Sequence, residues 1–501
     1  MSLAVINTRA KIGLKAPSVS VEVHLSNGLP AFNIVGLPEA SVKESKDRVR
    51  SAIINSHFEF PNRRITVNLA PAELPKGGSR FDLPIAIGIL AASDQLPKDR
   101  LQHYEFIAEL ALSGELRGVE GVLPSAIACA NESSRQLVVS KSNLAETAMV
   151  DSITALPAHH LLDVTAHLYQ HTLLQPQSSV SQSCINHYPQ LTDVIGQNHA
   201  KRALEIAATG GHHLLLFGPP GAGKSMLASR LPGIMPPMTN EEALQTACIH
   251  SLVSNSSNAH FKQRPFRSPH HSASCAALVG GGSLPKPGEI SLAHHGVLFL
   301  DEFTEFQRSV IEALREPLEC GEINLARAAA QVCYPAKFQL VAAMNPCPCG
   351  YLGSNRCQCS PEQINRYHNK ISGPILDRID LHVRVNAIDN DQLLQPQPQL
   401  GESSKAVFAR VCKARDLQLK RQGVINAQLS NQKVREVCPL DDKQKQFLNK
   451  VITSFKLSTR SFYRVLKVAR SIADIESLEI PDIAQYQEAL SYRNTFNTTI
   501  C

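Results

Sequence analysis

No stretch of this 501-residue sequence is apolar enough to cross a bilayer: the longest apolar run, Phe81–Ala92, contains Asp82 and Pro84 and is too short. The opening MSLAVINTRAKIGL lacks a basic segment followed by a sustained apolar one, so neither export nor membrane insertion is expected. Neither disorder nor a fibrous composition dominates, with 43% hydrophobic and 19% charged residues. Net charge is small as well. Fifty Lys and Arg against 44 Asp and Glu leave +6, a mild excess that suits a polyanionic partner and is equally ordinary for this length. Thirteen cysteines without a leader point to reduced thiols or metal ligands rather than a disulfide framework, and hence to a cytoplasmic protein.

What is present organises into several parts, because 501 residues exceed what one core usually holds. Residues 1–170 mix β-rich runs (Val19–Leu25, Arg64–Leu69) with helical patterns (Ser41–Ser56, Leu83–Ala92), which predicts an α+β domain. A Ser-, Gln- and Pro-rich stretch ending at Gln190 predicts a linker over 171–190. Residues 191–385 alternate strand, Gly-rich turn and helix, the pattern of a parallel sheet with crossover helices. After a polar interruption at Asp389–Ser404, the remainder of 386–501 carries helical patterns at Lys405–Leu419 and Ser461–Ile475 and predicts a helical lid.

The chemistry lies in the central part. His213–Phe217 is a short apolar strand running directly into Gly218-Pro219-Pro220-Gly221-Ala222-Gly223-Lys224-Ser225, which opens a helix. Glycines turn backbone amides toward phosphates, Lys224 neutralises the β and γ oxygens, and the Ser225 hydroxyl is a ligand for Mg²⁺. A second strand, Gly296–Leu300, ends in Asp301 and Glu302, which places Asp301 to hold the Mg²⁺ shell and Glu302 to polarise an attacking water. Together these two motifs predict ATP hydrolysis. A third strand, Phe338–Ala343, leads to Asn345, either a sensor of the γ-phosphate or an ordinary turn former before Pro346. Arg378 stands among Asp377 and Asp380, where a surface salt bridge is the plain alternative. Cys347, Cys349, Cys357 and Cys359 put four thiols within thirteen residues. Zn²⁺ takes four thiolates tetrahedrally, while ordinary or redox-sensing thiols remain open.

Phosphate loop, DE-ended strand, Asn-ended strand, LDRIDLHV and a late Arg460 resemble, in that order, the AAA+ ATPases of the magnesium chelatase and MCM helicase branch. Arg264–Glu302 (RPFRSPHHSASCAALVGGGSLPKPGEISLAHHGVLFLDE) resembles the magnesium chelatase-like family of the ComM and YifB type, and the similarity covers nearly the whole chain. The resemblance implies that Asn345 is sensor 1, Arg378 an arginine finger entering a neighbour's site, Arg460 sensor 2, and Ile195-Gly196 within Asp193–Gln197 part of the adenine pocket. It implies a ring, with six subunits favoured, and pore-facing loops at Phe261–Pro287 and Glu322–Tyr334. Arg264, Arg267, His270, His271 and Arg327 are then candidate contacts to a DNA backbone, with packing at a subunit interface as the alternative.

Gly36–Pro38, Ser41–Arg50, Ile65–Leu74 and Leu110–Pro124 resemble the Lon-protease-like, ribosomal S5-like domain at the front of such chains. A peptidase of that kind needs a Ser nucleophile and a Lys base. Here Lys76-Gly77-Gly78-Ser79-Arg80 sets Arg80 at the nucleophile position, and Gly121–Ala126 offers no Lys, so proteolysis is not expected. The expected fold is therefore α/β: a Lon-protease-like α+β domain, an AAA+ parallel-sheet core and a helical lid. The expected activity is a ring-forming, ATP-hydrolysing motor on single-stranded or branched DNA that promotes branch migration during natural transformation, with ATP, Mg²⁺ and Zn²⁺ as cofactors. The alternatives are an ATPase remodelling a partner in metal insertion and an ATP-switched scaffold; Glu302 weighs against a pure switch.

Overall fold

In a computed structural model, residues 3–132, 134–176, 188–253, 261–282, 285–326, 331–387, 402–455 and 457–493 are described. Arg327 and most of the two polar interruptions lie outside these residues. The fold is mixed α/β, with a parallel-sheet core and a helical C-terminal region. Among the described residues no helix is long and apolar enough to cross a membrane.

The N-terminal part is built on a mixed seven-stranded sheet: β1 (Leu3–Arg9), β2 (Ser18–Ser26), β3 (Ala31–Val35), β4 (Arg64–Ala70), β5 (Tyr104–Ile107), β6 (Gln136–Ser140) and β7 (Ala155–Ala158), in the order β3-β4-β2-β1-β5-β6-β7. The alternation along β2 sends Val19, Val21, Val23 and Leu25 into the core and leaves polar residues between them outside, as a half-buried strand requires. Helix α1 (Asp82–Ala92), the most apolar segment of the chain, is buried along its whole length against β1 and β2. Its apolar run thus makes a core helix of the N-terminal part. Helix α2 (Val122–Glu132) carries Val122, Leu123, Ala126 and Cys129 into a cluster with Ala247 and Cys248, so the N-terminal part and the central part share a dry contact.

The central sheet has β8 (Leu214–Phe217), β9 (Phe266–Arg267), β10 (Val297–Leu300), β13 (Gln339–Met344) and β14 (Leu381–Arg384), in the order β9-β10-β13-β8-β14, every neighbouring pair parallel. Between β10 and β13 the chain makes an antiparallel hairpin, β11 (Glu322–Ala326) with β12 (Gln331–Pro335). Both faces of the sheet are covered. Leu214, Leu216, Val341, Ala343 and Leu381 point to the face under helix α3 (Asn198–Gly210), while Leu215, Leu298, Leu300, Leu340 and Ala342 point to the other. Strands buried on both sides read as unbroken apolar runs, which is why LLLF and VLFL show no alternation. This part also carries helices α4 (Lys224–Ala228), α5 (Asn240–Ser251) and α6 (Arg315–Cys320).

The C-terminal helices α7 (Ser404–Gln422) and α8 (Thr459–Ile475) begin at Ser403 and Ser458, whose side chains accept from the Ala406 and Ser461 amides. Both pack on α3, and Val407, Val411, Val465, Leu466 and Ile472 join the same core as Leu214 and Leu381. The helical region is therefore fused to the back of the sheet by apolar burial.

Candidate nucleotide-hydrolysis site

β8 lies between β13 and β14, so the loop that follows it emerges at the C-terminal edge of a parallel sheet, where such folds bind ligands. Gly221 and Gly223 take φ values of 76° and 87°, a left-handed backbone that folds Gly218–Ser225 into a cradle ending at the first turn of α4. A Cβ at either glycine would meet nothing within 4 Å, so the demand there is conformational. Lys224, 8% exposed, donates to the carbonyls of Gly218 (2.7 Å) and Pro219 (2.9 Å) and to Asn345 Oδ1 (3.0 Å). Burial pulls its ammonium below the ordinary lysine range, against the opposing pull of Asp301 and Glu302. The Ser225 hydroxyl donates to Asp301 Oδ2 at 2.6 Å, bringing together two hard oxygen donors of the kind Mg²⁺ takes. Asn345 extends from the end of β13 beside β8, which explains how residues 121 apart in sequence meet.

Glu302 stands just past β10 with φ 50° and ψ 47°, a left-handed conformation that few non-glycine residues adopt and that tends to mark functional positions. Its Oε2 lies 3.0 Å from His271 Nδ1. The register explains the meeting: Arg267 of β9 is opposite Leu298 of β10, and His271 and Glu302 each lie four residues further along parallel chains. Nothing in the spacing of the sequence signals this contact, because it depends on which strands pair.

Four of the candidate DNA contacts are described, and their surroundings differ. Arg264 is largely buried, donating to the carbonyls of Pro236 (2.6 Å) and His295 (2.6 Å), with Glu242 at 3.5 Å. Arg267 forms a two-pronged pair with Glu289 at 2.6 and 2.7 Å. Both side chains are thus engaged within the chain. His270 is exposed, its ring tilted against that of His271 at 4.1 Å between ring centres, and contacts Ser272 Oγ at 2.8 Å.

Arg378 and Arg460 meet at one carboxylate that no sequence motif singles out. Arg378, 7% exposed, and Arg460 both donate through Nη2 to Glu319 Oε1 on α6, Arg460 at 2.5 Å. Among the described residues no arginine hydrogen-bonds Gly218–Ser225. Gly196 and Gln197 both adopt left-handed backbone and turn the chain into α3, and Gln197 Nε2 donates to the Asn386 carbonyl at 2.6 Å. Asn386, Arg384, Pro219, Pro220 and Tyr351 line a cavity of about 450 Å³ beside the phosphate loop; Ile195 and Gly196 are not among its lining residues.

The four cysteines of the 347–359 segment converge, with all four sulphurs within 4.8 Å of one another. Cys347 lies 3.3 Å from Cys349 and 3.9 Å from Cys357, and Cys349 lies 3.7 Å from Cys357. Thiolates 2.3 Å from a tetrahedral Zn²⁺ stand about 3.8 Å apart, so the donor set fits that ion. The loop leans on the phosphate loop: a Cβ on Gly350 would come within 2.7 Å of Pro220 Cδ, and only glycine permits the approach.

In the N-terminal part the peptidase position is filled. Arg80 is buried and donates to the Glu120 carbonyl (2.6 Å) and Ser125 Oγ (3.4 Å), and burial pulls its guanidinium down to about 10. Ser79 donates to the Glu109 carboxylate, and the buried Lys76 ammonium to the Pro71 carbonyl.

A parallel sheet with the phosphate-loop strand between the Asn-ended strand and β14, a DE-ended strand beyond, and a helical C-terminal region define an AAA+ ATPase. The family model described as magnesium chelatase, subunit ChlI, matches residues 190–393; that of subunit ChlI of Mg-chelatase matches 21–143; and that of the subunit ChlI C-terminal matches 401–493. The chain is 53% identical to Competence protein ComM of Haemophilus influenzae, over 98% of each chain. It is 51% identical to YifB of Escherichia coli strain K12, over 98% of this chain and 97% of that one. To the magnesium-chelatase 38 kDa subunit of Acidiphilium rubrum it is 24% identical, over 41% of this chain and 65% of that one. The chain belongs to the magnesium chelatase-like family of AAA+ ATPases, with ComM and YifB.

Proposed function

We propose that this chain assembles into a ring, six subunits being favoured, that hydrolyses ATP to move on single-stranded or branched DNA and promotes branch migration as incoming DNA is integrated. The observation that carries the ring is the division of the site. Lys224, Ser225, Asp301, Glu302 and Asn345 surround one phosphate loop, while Arg378 and Arg460 are engaged at Glu319. Charge building on the transferring phosphoryl group calls for an arginine, and a neighbouring subunit is the natural supplier. The DNA part rests on the high identity to a protein named for competence.

In this reading Lys224 holds the β and γ oxygens, Asn345 orients the γ-phosphate and the lytic water, and Glu302 accepts that water's proton. Ser225 and Asp301 would hold Mg²⁺, which neutralises charge between the β- and γ-phosphates when bound. Ile195 and Gly196 remain the proposed adenine contacts. His270, His271 and Arg327 remain proposed DNA contacts, whereas Arg264 and Arg267, engaged within the chain, support the loop that carries His270 and His271.

Steady-state ATP hydrolysis with and without single-stranded, double-stranded and branched DNA, at two salt concentrations, tests the motor. Stimulation that weakens as salt rises is expected, because phosphate contacts release counterions. Equal rates with and without every DNA would sink the DNA reading and favour an ATPase that remodels a protein, as in metal insertion.

The cysteine loop is assigned a structural Zn²⁺. Metal analysis of the purified protein should find one zinc per chain, and Cys349→Ser or Cys357→Ser should remove most of it and weaken ATP binding through the Gly350–Pro220 contact. Zinc content unchanged in both variants would exclude the site.

A further inference from the structure

Glu319 ends a chain of connections that the nucleotide site does not use. Two guanidinium groups converge through Nη2 on its single Oε1, the arrangement in which arginines clamp a phosphate oxygen, here occupied from within the chain. Both arginines belong to segments that hydrogen-bond each other. Arg464 of α8 donates to the Arg378 carbonyl at 2.7 Å and to the Asp380 carboxylate, and Ser461 donates to Asp377 at 3.2 Å, so the Asp377–Asp380 turn is tied to the helix that starts beside Arg460. Asp380 is fully buried; burial pushes its carboxyl up, but Arg464, His212 and His213 more than reverse this and hold it well below the usual carboxylate range.

Glu319 itself sits one turn before the β11–β12 hairpin. Gly321 separates α6 from Glu322, and the Ala336 amide closes the base of the hairpin by donating to the Gly321 carbonyl at 2.7 Å. On α6 the neighbouring Glu316 accepts from Asn324 Nδ2 of the hairpin at 3.3 Å, so the helix and the hairpin are joined twice. These two contacts connect the base of the hairpin to the helix whose carboxylate holds both arginines.

We propose that Glu319 is a positioning residue that restrains Arg378 and Arg460 until the β11–β12 hairpin engages the nucleic acid, and then releases them toward a neighbouring subunit's γ-phosphate. This rests on the ring reading above. Glu319 is 43% exposed on its side chain and Arg460 49%, so this pair is reachable from outside the subunit and water screens its bond, whereas the Arg378 side chain is 8% exposed and moves only when Glu319 is drawn away. A γ-phosphate with more charge than one carboxylate competes well for the same donors.

The experiment measures kcat and KM for ATP in the full-length protein, with and without DNA, for wild type, Glu319→Gln, Glu319→Asp and the distant Glu436→Gln, whose partner is Lys433. Assembly is followed by light scattering. Glu319→Gln is expected to raise basal kcat about fivefold or more, the lower end of ordinary coupling between sites. DNA should then add little, and KM should hardly move. Glu319→Asp should fall between, and Glu436→Gln should match wild type. A lower basal kcat with the wild-type stimulation ratio would overturn the proposal, because Glu319 would then merely support the arginines. Failure of Glu319→Gln to assemble would overturn it for the same reason, and so would an unchanged basal kcat. A wild-type protein that ignores DNA defeats the motor reading instead; the restraint then stands or falls on whether Glu319→Gln raises basal kcat.

Discussion

Arg378→Ala should lower kcat by about 10³- to 10⁵-fold while rings still form, the range over which an arginine finger acts. The guanidinium is 7% exposed and engaged by Glu319 and the Pro374 carbonyl. Its removal leaves the phosphate loop of its own subunit untouched. Mixing separates action on a neighbour from action within the subunit. A Lys224→Ala subunit cannot hold ATP but keeps Arg378, so rings mixed from it and Arg378→Ala should regain part of the activity that each lacks alone. Mixed rings as inactive as their parents would place Arg378 in its own subunit's site and remove the main support for an obligatory ring. A loss of assembly in Arg378→Ala would instead assign the side chain a structural role, since it donates to the Pro374 carbonyl and to Glu319 on α6 of its own subunit.

Glu302→Gln should bind ATP with near wild-type affinity and turn it over about 10²- to 10⁴-fold more slowly, the usual contribution of a positioned base. The amide keeps the size of the carboxylate but cannot take a proton from water. Lys224, Ser225 and Asn345 are undisturbed by the change, so binding of a fluorescent ATP analogue should persist. Turnover above a tenth of the wild-type rate would mean that another group activates the water. The left-handed backbone at Glu302 adds a constraint of its own, and glutamine meets the same strain there as glutamate, so the replacement compares like with like.

The parallel sheet was legible because its strands are buried on both faces and so appear as short unbroken apolar runs next to glycine-rich or acidic turns. β8 and β10 follow the runs His213–Phe217 and Gly296–Leu300 to within a residue at each end. Lys224, Ser225, Asp301 and Glu302 were legible for a related reason: Asp301 and Glu302 directly follow a strand end, and Lys224 and Ser225 close the glycine-rich turn that follows another, where local sequence decides position. The cysteine cluster was similarly local, and a loop of seven residues between the two pairs suffices to close it.

Long-range meetings were not legible. Candidate basic residues of Arg264–His271 looked alike in sequence, yet Arg264 turns inward to carbonyl oxygens and Arg267 to Glu289, while His271 reaches Glu302. Which way each points depends on the pairing of β9 with β10 and on the crossing of α5, and composition carries no record of either. Glu319 had no motif at all. A lone glutamate near the end of a short helix reads as a solvated side chain until the C-terminal helix brings Arg460 across 141 residues to meet it.

By itself, then, the sequence determined the class of machine: a phosphate loop, a DE-ended strand and an Asn-ended strand in order, with four clustered thiols beside them. Those features are set by backbone conformation and side-chain chemistry over a few residues, where glycine, lysine and carboxylate admit few other uses. Only the tertiary structure decided that Arg264 and Arg267 are engaged within the chain and that Arg378 and Arg460 share one carboxylate. Such choices depend on how strands are ordered and how α8 packs on α3, because a charge is positioned by the partners that folding brings within about 3 Å of it.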